Sequence, residues 1–278
     1  MSHRSFSQLT SYTKCGMSYY LSRVARAPQR PSWAQVGGKA FHAAAEYINF
    51  GGDIDDGVAV WEFFWDFAFQ EAAQRADLVP ELWRVGGRKS KANPNGEDAD
   101  WWMDNGPRML WDYAVWLGGM EEQGWEIAEL PGGGMAIEAK VSGFLDGILI
   151  EAYLDLMLQK GDDQLVVDLK TGRKPYSNLQ LAVYAELLGS LTGTRPALGA
   201  YYLAREGVST IATDLSQYDK HFLGKQFSQL DHAIDEGIFL PNPGPMCESC
   251  DVNRACSSYG GDLADQYDPL VTSHQEAQ

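Results

Sequence analysis

The sequence predicts an α/β fold in which a strand-rich middle is bracketed by helices. Three observations carry this. Residues 135–170 alternate with period two and contain two tight-turn signals. Residues 5–21, 38–49 and 178–191 carry helical patterns on either side. An acidic, Trp-rich helical stretch separates the first helices from the strands. With 278 residues, 45% of them apolar, the chain can bury a core for one large domain or for a core with an insertion.

The first helix is expected over 5–21, capped by Ser5 and turning Leu9, Tyr12 and Tyr19 to one side. A second, Ala-rich helix is expected from Gly38 to Asn49 and contains His42 and Glu46. From Val58 to about Leu130 the helical pattern is broken by a Gly/Asn/Pro-rich loop at Gly86–Gly96. Asp146-Gly147 then signals a two-residue hairpin that pairs residues whose numbers sum to 293. Gly161-Asp162 signals another, with a sum of 323. In that register Leu154 faces Leu169, Leu156 faces Val167 and Leu158 faces Leu165, giving one apolar face. The opposite face gathers Glu138, Asp155, Asp168 and Lys170. Further on, a helix is expected over Asn178–Leu191, a strand over Leu198–Leu203, another near Thr210, and a helix from Ser216 to Glu236. A rigid Pro241–Pro245 connection leads to the last three cysteines, and a frayed tail follows Asp262.

Facing carboxylates repel, so a fold keeps them together where something offsets the repulsion. A divalent cation does so, and it can polarise a phosphoryl oxygen and acidify a bound water. A nearby ammonium can orient that water or stabilise charge developing on phosphate. An arbitrary Asp-x-Lys is more often plain surface. The register, the apolar reverse face and the following Thr171-Gly172 favour chemistry here.

Net charge is -16, which argues against passive, non-specific binding to nucleic acid. The charge is uneven, however. Residues 1–47 hold six basic groups against one acid, with Arg23, Arg26 and Arg30 among them. Arg88 and Lys89 lie in the Gly-rich loop, and Arg173 and Lys174 follow Lys170. Each cluster alone reads as solvated surface, but together they suggest a phosphate track. No apolar run is long enough to span a membrane, and the first residues lack a signal-peptide core, so a cytoplasmic protein is expected. No G-x-x-x-x-G-K-[ST] motif is present, which suggests a standalone enzyme or one subunit of a complex with a recombination or helicase partner protein.

Cys15, Cys247, Cys250 and Cys256 are the only cysteines, and the last three form C-x2-C-x5-C. In a reducing compartment that spacing favours a metal centre over disulfides, and it leaves zinc and iron–sulfur both open.

Val166-Val167-Asp168-Leu169-Lys170-Thr171-Gly172 resembles the signature strand of the PD-(D/E)XK nuclease superfamily, in its RecB-like branch. Gly38 to His42, Asp155 upstream, and Gln180 with Tyr184 match the branch's other motifs in order. The resemblance implies a restriction-endonuclease-like core, a central mixed sheet flanked by helices, carrying a helical insertion. It implies His42, Asp155, Asp168 and the Leu169 carbonyl as ligands of Mg2+ or Mn2+, and Glu46 and Glu138 as outer or second-ion candidates. Asp155, Asp168, Lys170, Gln180 and Tyr184 would form the catalytic set. The four cysteines are similar to those of iron–sulfur nucleases, which include AddB-type domains and CRISPR-associated RecB-like exonucleases. That similarity implies a [4Fe–4S] clasp joining the chain ends. The expected organisation is N-terminal helices over 1–52, a helical insertion over 53–130 and a nuclease core over 131–240. A cysteine segment over 241–262 and a flexible tail over 263–278 complete it. The implied activity is a DNA exonuclease acting on single strands or ends, in recombination, repair or CRISPR-type processing. A non-catalytic nucleic-acid-binding scaffold, or an RNA-directed phosphodiesterase with a zinc clasp, are the alternatives.

Overall fold

A computed structural model describes residues 3–75, 78–91 and 93–271. Its centre is a hairpin followed by a third strand: β4 (Ile137–Leu145), β5 (Ile148–Lys160) and β6 (Asp163–Lys170). Asp146 and Gly147 both take positive φ, +50° and +80°, as a tight hairpin turn of this hand requires. The pairs Leu145 with Ile148 and Leu158 with Leu165 fix both registers as the turn chemistry predicts. β6 then pairs in parallel with β7 (Leu198–Leu203), because α6 (Leu179–Thr192) provides the crossover. Short strands β1 (Glu126–Ile127), β8 (Val208–Ser209) and β9 (Thr213–Asp214) complete a mixed seven-stranded sheet. β2 (Glu129–Leu130) and β3 (Gly134–Met135) form a separate pair.

Helices cover both faces of the sheet. On one side lie α3 (Trp33–Asn49), α4 (Gly57–Arg75) and α5 (Ala99–Glu122), packing Trp61, Trp102, Phe41 and Tyr113 against Leu156, Leu158 and Val167. On the other, α6 and α7 (Lys220–Asp235) bury Leu181, Leu187 and Phe227 against Leu154, Met157 and Val166. The acidic 53–130 stretch therefore shares its core with α3 and the sheet. α3 and α5 come close because a glycine faces a tryptophan: an ideal Cβ on Gly37 would lie 2.1 Å from the Trp102 ring.

The long first helix of the sequence reading is broken. α1 (Phe6–Lys14) stops at Cys15, whose backbone is extended (φ -165°, ψ 112°), and α2 (Gly16–Tyr19) starts anew. The Cys15 sulfur accepts the Ser18 N–H at 3.4 Å, so the thiol serves as a cap that the helical pattern concealed.

The apolar face expected of β5 is also split. Leu156 and Leu158 join one core, whereas Leu154, Ala152 and Ile150 join the other. β4 does the same, with Ile137 on one side and Val141 and Leu145 on the other. Both strands exchange faces at Glu138 and Asp155, where Glu138 adopts φ +42°. The β5–β6 ladder ends at Leu156 with Val167, so the expected facing of Leu154 with Leu169 is not formed.

The expected frayed tail is likewise corrected in part. Residues 263–271 fold back through α8 (Ala264–Tyr267), and buried Asp268 accepts the Ser257 N–H at 2.8 Å. Residues 272–278 lie outside the described residues.

Candidate active site

The exchange of faces in the hairpin has a local result. Glu138 and Asp155 turn toward α3, and His42 meets them there. Its Nδ1 lies 3.1 Å from Glu138 Oε1 and 3.5 Å from Asp155 Oδ1. One ligand atom from each of the three falls within 4.8 Å of the others. A single imidazole with two carboxylates suits a hard or borderline divalent cation. Among the described residues this is the one such group of three or more His, Cys, Asp or Glu.

β6 supplies the neighbouring row. Because the β5–β6 ladder ends at Leu156 and Val167, the Leu169 N–H donates instead to the β5 side chain Asp155 Oδ2 at 2.7 Å, locking that carboxylate. Asp168 is 1% exposed and its Oδ2 lies 2.6 Å from the Lys170 Nζ. Lys170 also donates to Gln180 Oε1 at 3.0 Å, and Gln180 Nε2 donates to the Tyr184 hydroxyl at 2.8 Å. Residues 180 and 184 are one turn apart on α6, which aims both at the end of β6.

The site is short of positive charge. Burial pulls the His42 imidazole down, but Asp155, Glu138 and Asp168 outweigh it and hold its pKa up at about 9. Burial pushes the Asp155 carboxyl up to about 7; His42 opposes the rise, and Asp168 and Glu138 add to it. Asp168 is raised by burial against the pull of Lys170. Glu46 is raised by burial and by Glu138, which places its charge within reach of the group. A bound cation would relieve the repulsion these shifts record.

Of the expected site residues, the fold thus brings His42, Asp155, Asp168, Lys170, Gln180 and Tyr184 into one region. Glu138, a lesser candidate in the sequence, joins His42 and Asp155 directly. Asp168 stands outside that trio, on Lys170. At Leu169 the contact formed with an expected ligand is the main-chain N–H on Asp155. Arg173, Lys174, Arg88 and Lys89 are exposed, and Arg23 and Arg26 line a polar cavity of about 650 Å³. Arg30 departs from the expected phosphate track. Its guanidinium meets the Glu248 carbonyl and Asn253 Oδ1, and its main-chain N–H donates to Asp251, so it anchors the cysteine segment.

The four cysteines form no disulfide, and Cys15, Cys250 and Cys256 pack against one small core where the first helices meet the cysteine segment. Ser18 touches Cys15 through its N–H and Cys250 through its hydroxyl, at 3.4 and 3.6 Å. The Asn242 N–H reaches Cys15 and the Gly244 N–H reaches Cys247, each at 3.4 Å. Burial pushes the Cys250 and Cys256 thiols up, and both feel the Cys15 sulfur. No three sulfurs fall within 4.8 Å of one another.

Two supports had no sequence signal. Arg205 donates to the Thr171 carbonyl, pairs with both oxygens of buried Glu97, and lies 5.3 Å from the Trp101 ring centre. Tyr201 pairs with Asp168 across the parallel ladder and lies 5.9 Å beneath the Lys170 amine. Both arise from crossovers that bring distant segments together, which local patterning does not encode.

The chain resembles the Gene 69 protein of Mycobacterium phage D29, with 31% identity over 274 residues covering 91% of this chain and 96% of that protein. The Gene 69 protein of Mycobacterium phage L5 is 27% identical, covering 91% and 95%. A Eubacterium rectale crystal structure, provisionally described as an exonuclease, superposes with a TM-score of 0.44 at 13% identity, over 91% of this chain and 89% of that one. The family model of the PD-(D/E)XK nuclease superfamily matches residues 3–257. With its mixed sheet and helical flanks as described, the chain belongs to the PD-(D/E)XK nuclease superfamily.

Proposed function

We propose that this nuclease is a metal-dependent DNA exonuclease of the RecB-like branch, acting on single strands or duplex ends in recombination, repair or CRISPR-type processing. The observation that carries the reading is the His42–Glu138–Asp155 group, within 4.8 Å, beside the Asp168–Lys170 pair. Mg2+ or Mn2+ held by His42, Glu138 and Asp155, with Asp168 adjacent, would supply Lewis-acid chemistry and an acidified water. The chain's own residues do the rest. Asp155 is held in one orientation by the Leu169 N–H, so its second oxygen stays directed at His42. Lys170, fixed between Asp168 and Gln180, keeps its ammonium beside the carboxylates, where it can stabilise charge growing on a phosphate. Tyr184 holds Gln180 and so holds Lys170. Arg173 and Lys174 on the next loop would meet the approaching backbone phosphates.

We assign Cys15, Cys247, Cys250 and Cys256 a [4Fe–4S] cluster, on their spacing and its resemblance to that of iron–sulfur nucleases. Three main-chain N–H groups on two of the sulfurs are suited to thiolate charge. A single zinc ion on the same thiolates is the alternative, and the metal content per chain separates the two.

The test of activity is direct. Purified protein with Mn2+ or Mg2+ should shorten end-labelled single-stranded DNA, and Lys170→Ala should lower kcat by at least about 100-fold while keeping the fold. Undiminished hydrolysis by Lys170→Ala would sink the assignment.

A further inference from the structure

Tyr176 is fully exposed, at 106% of its reference area, on the loop that follows Lys170. That loop is neither long nor free at its ends. Arg205 holds the Thr171 carbonyl at its start, and the Tyr201 hydroxyl donates at 2.9 Å to the Ser177 carbonyl at its end. The ring of Tyr201 is the same one that underlies the Lys170 amine. One side chain therefore spans from Lys170 to the residue next to Tyr176.

The charge around the loop is equally particular. In a chain of net charge -16, residues 169–185 contain Lys170, Arg173 and Lys174 and no acid. Gly172, Arg173 and Lys174 are exposed with Tyr176. Leaving a tyrosine in water costs apolar contact that a core position would give, and among the described residues none covers this ring. Aromatic rings beside cationic side chains are the pattern that holds single strands, because every base has a face to stack and every nucleotide a phosphate.

We infer that Tyr176 is a stacking platform for an unpaired base of single-stranded DNA, with Arg173 and Lys174 holding the flanking phosphates. This rests on the nuclease reading and deepens it: the site takes a strand whose bases are open. A paired, stacked duplex end offers the ring less.

The experiment titrates wild type, Tyr176→Ala and Tyr176→Phe with a fluorescein-labelled oligothymidylate in EDTA, reading anisotropy, and then measures kcat/KM on the same strand with Mn2+. Tyr176→Ala should weaken strand binding by on the order of 10-fold and raise KM more than it lowers kcat. Tyr176→Phe should stay within about twofold of wild type, since the ring face is what matters. Binding to a blunt duplex should move less, and Tm should not move. Unchanged strand affinity in Tyr176→Ala overturns the inference, as does a Phe variant as weak as the Ala one. If the strand binds through Tyr176 but no divalent metal supports cleavage, the platform stands and the nuclease assignment falls. If cleavage depends on Lys170 and Tyr176→Ala leaves both affinity and KM alone, only the platform falls.

Discussion

His42 and Asp155 are each drawn toward their protonated forms, and that has a measurable consequence in the metal-free protein. Asp155 is raised from 3.8 to about 7, and His42 from 6.5 to about 9. Both folded values exceed the unfolded ones, so the folded state binds the extra protons. The Asp155 contribution to stability is full below about pH 4 and lost as pH climbs through 7. That of His42 is full below 6.5 and lost as pH climbs through about 9. In EDTA, Tm of the wild type should therefore fall more steeply between pH 5 and 9 than Tm of Asp155→Asn. In the variant, the carboxylate that most raises His42 is gone. Parallel curves would show that the acids are not crowded. The same logic predicts that Mn2+ binds more tightly as pH rises, because it competes with the His42 proton, and that it raises Tm of wild type but not of the variant.

At the scale of elements, Arg205 ties three parts together: the end of β7, the approach to α5 through Glu97, and the Thr171 carbonyl just past Lys170. A lysine offers a single ammonium and cannot serve a carboxylate, a carbonyl and two indole faces at once. Arg205→Lys should lower Tm by several degrees and cut kcat about 10-fold, with metal affinity unchanged. A variant with full kcat would show that the loop after Lys170 needs no brace. Elements also mark where the sequence could be read and where it could not. The hairpin registers followed from Asp146-Gly147 and Gly161-Asp162, because a two-residue turn leaves one alignment. The exchange of faces at Glu138 and Asp155 was hidden, since a period-two pattern says nothing about a residue at φ +42°. Gly37 falls just outside the helix expected from Gly38 to Asn49. Only the fold reveals that the Trp102 ring needs the space, so Gly37→Ala should cost about 1–3 kcal/mol in chemical denaturation.

Across the whole molecule, the first helices and the cysteine segment already hold each other before any metal is considered. The Met17 N–H donates to the Leu240 carbonyl, Asn242 Nδ2 to the Lys14 carbonyl, and Arg84 to the Ser249 carbonyl. Met17, Leu21, Val252 and Ala255 form a small core of their own beneath the sulfurs. A core of that size is too small to be stable alone, so a centre on four thiolates would supply much of its cohesion. Cys15 and Asn242, in contact here, are 227 residues apart in sequence, and joining such distant points restricts the unfolded chain, though only logarithmically with length. α3, which carries His42, is capped by Ser32, two residues past Arg30 and its anchor on the cysteine segment. Loosening the clasp should therefore reach the active site through the start of that helix. Protein purified without oxygen is expected to be brown and to hold close to four iron atoms per chain. Cys250→Ser should lose the iron, drop Tm by several degrees, and become sensitive to protease first within 241–262, while far-ultraviolet circular dichroism of the sheet core persists. Its kcat should fall without any change in the proposed ligands His42, Glu138 and Asp155. If iron is absent and zinc present at one per chain, the assignment of the cluster fails. If Cys250→Ser keeps both its Tm and its kcat, the clasp does not brace the site.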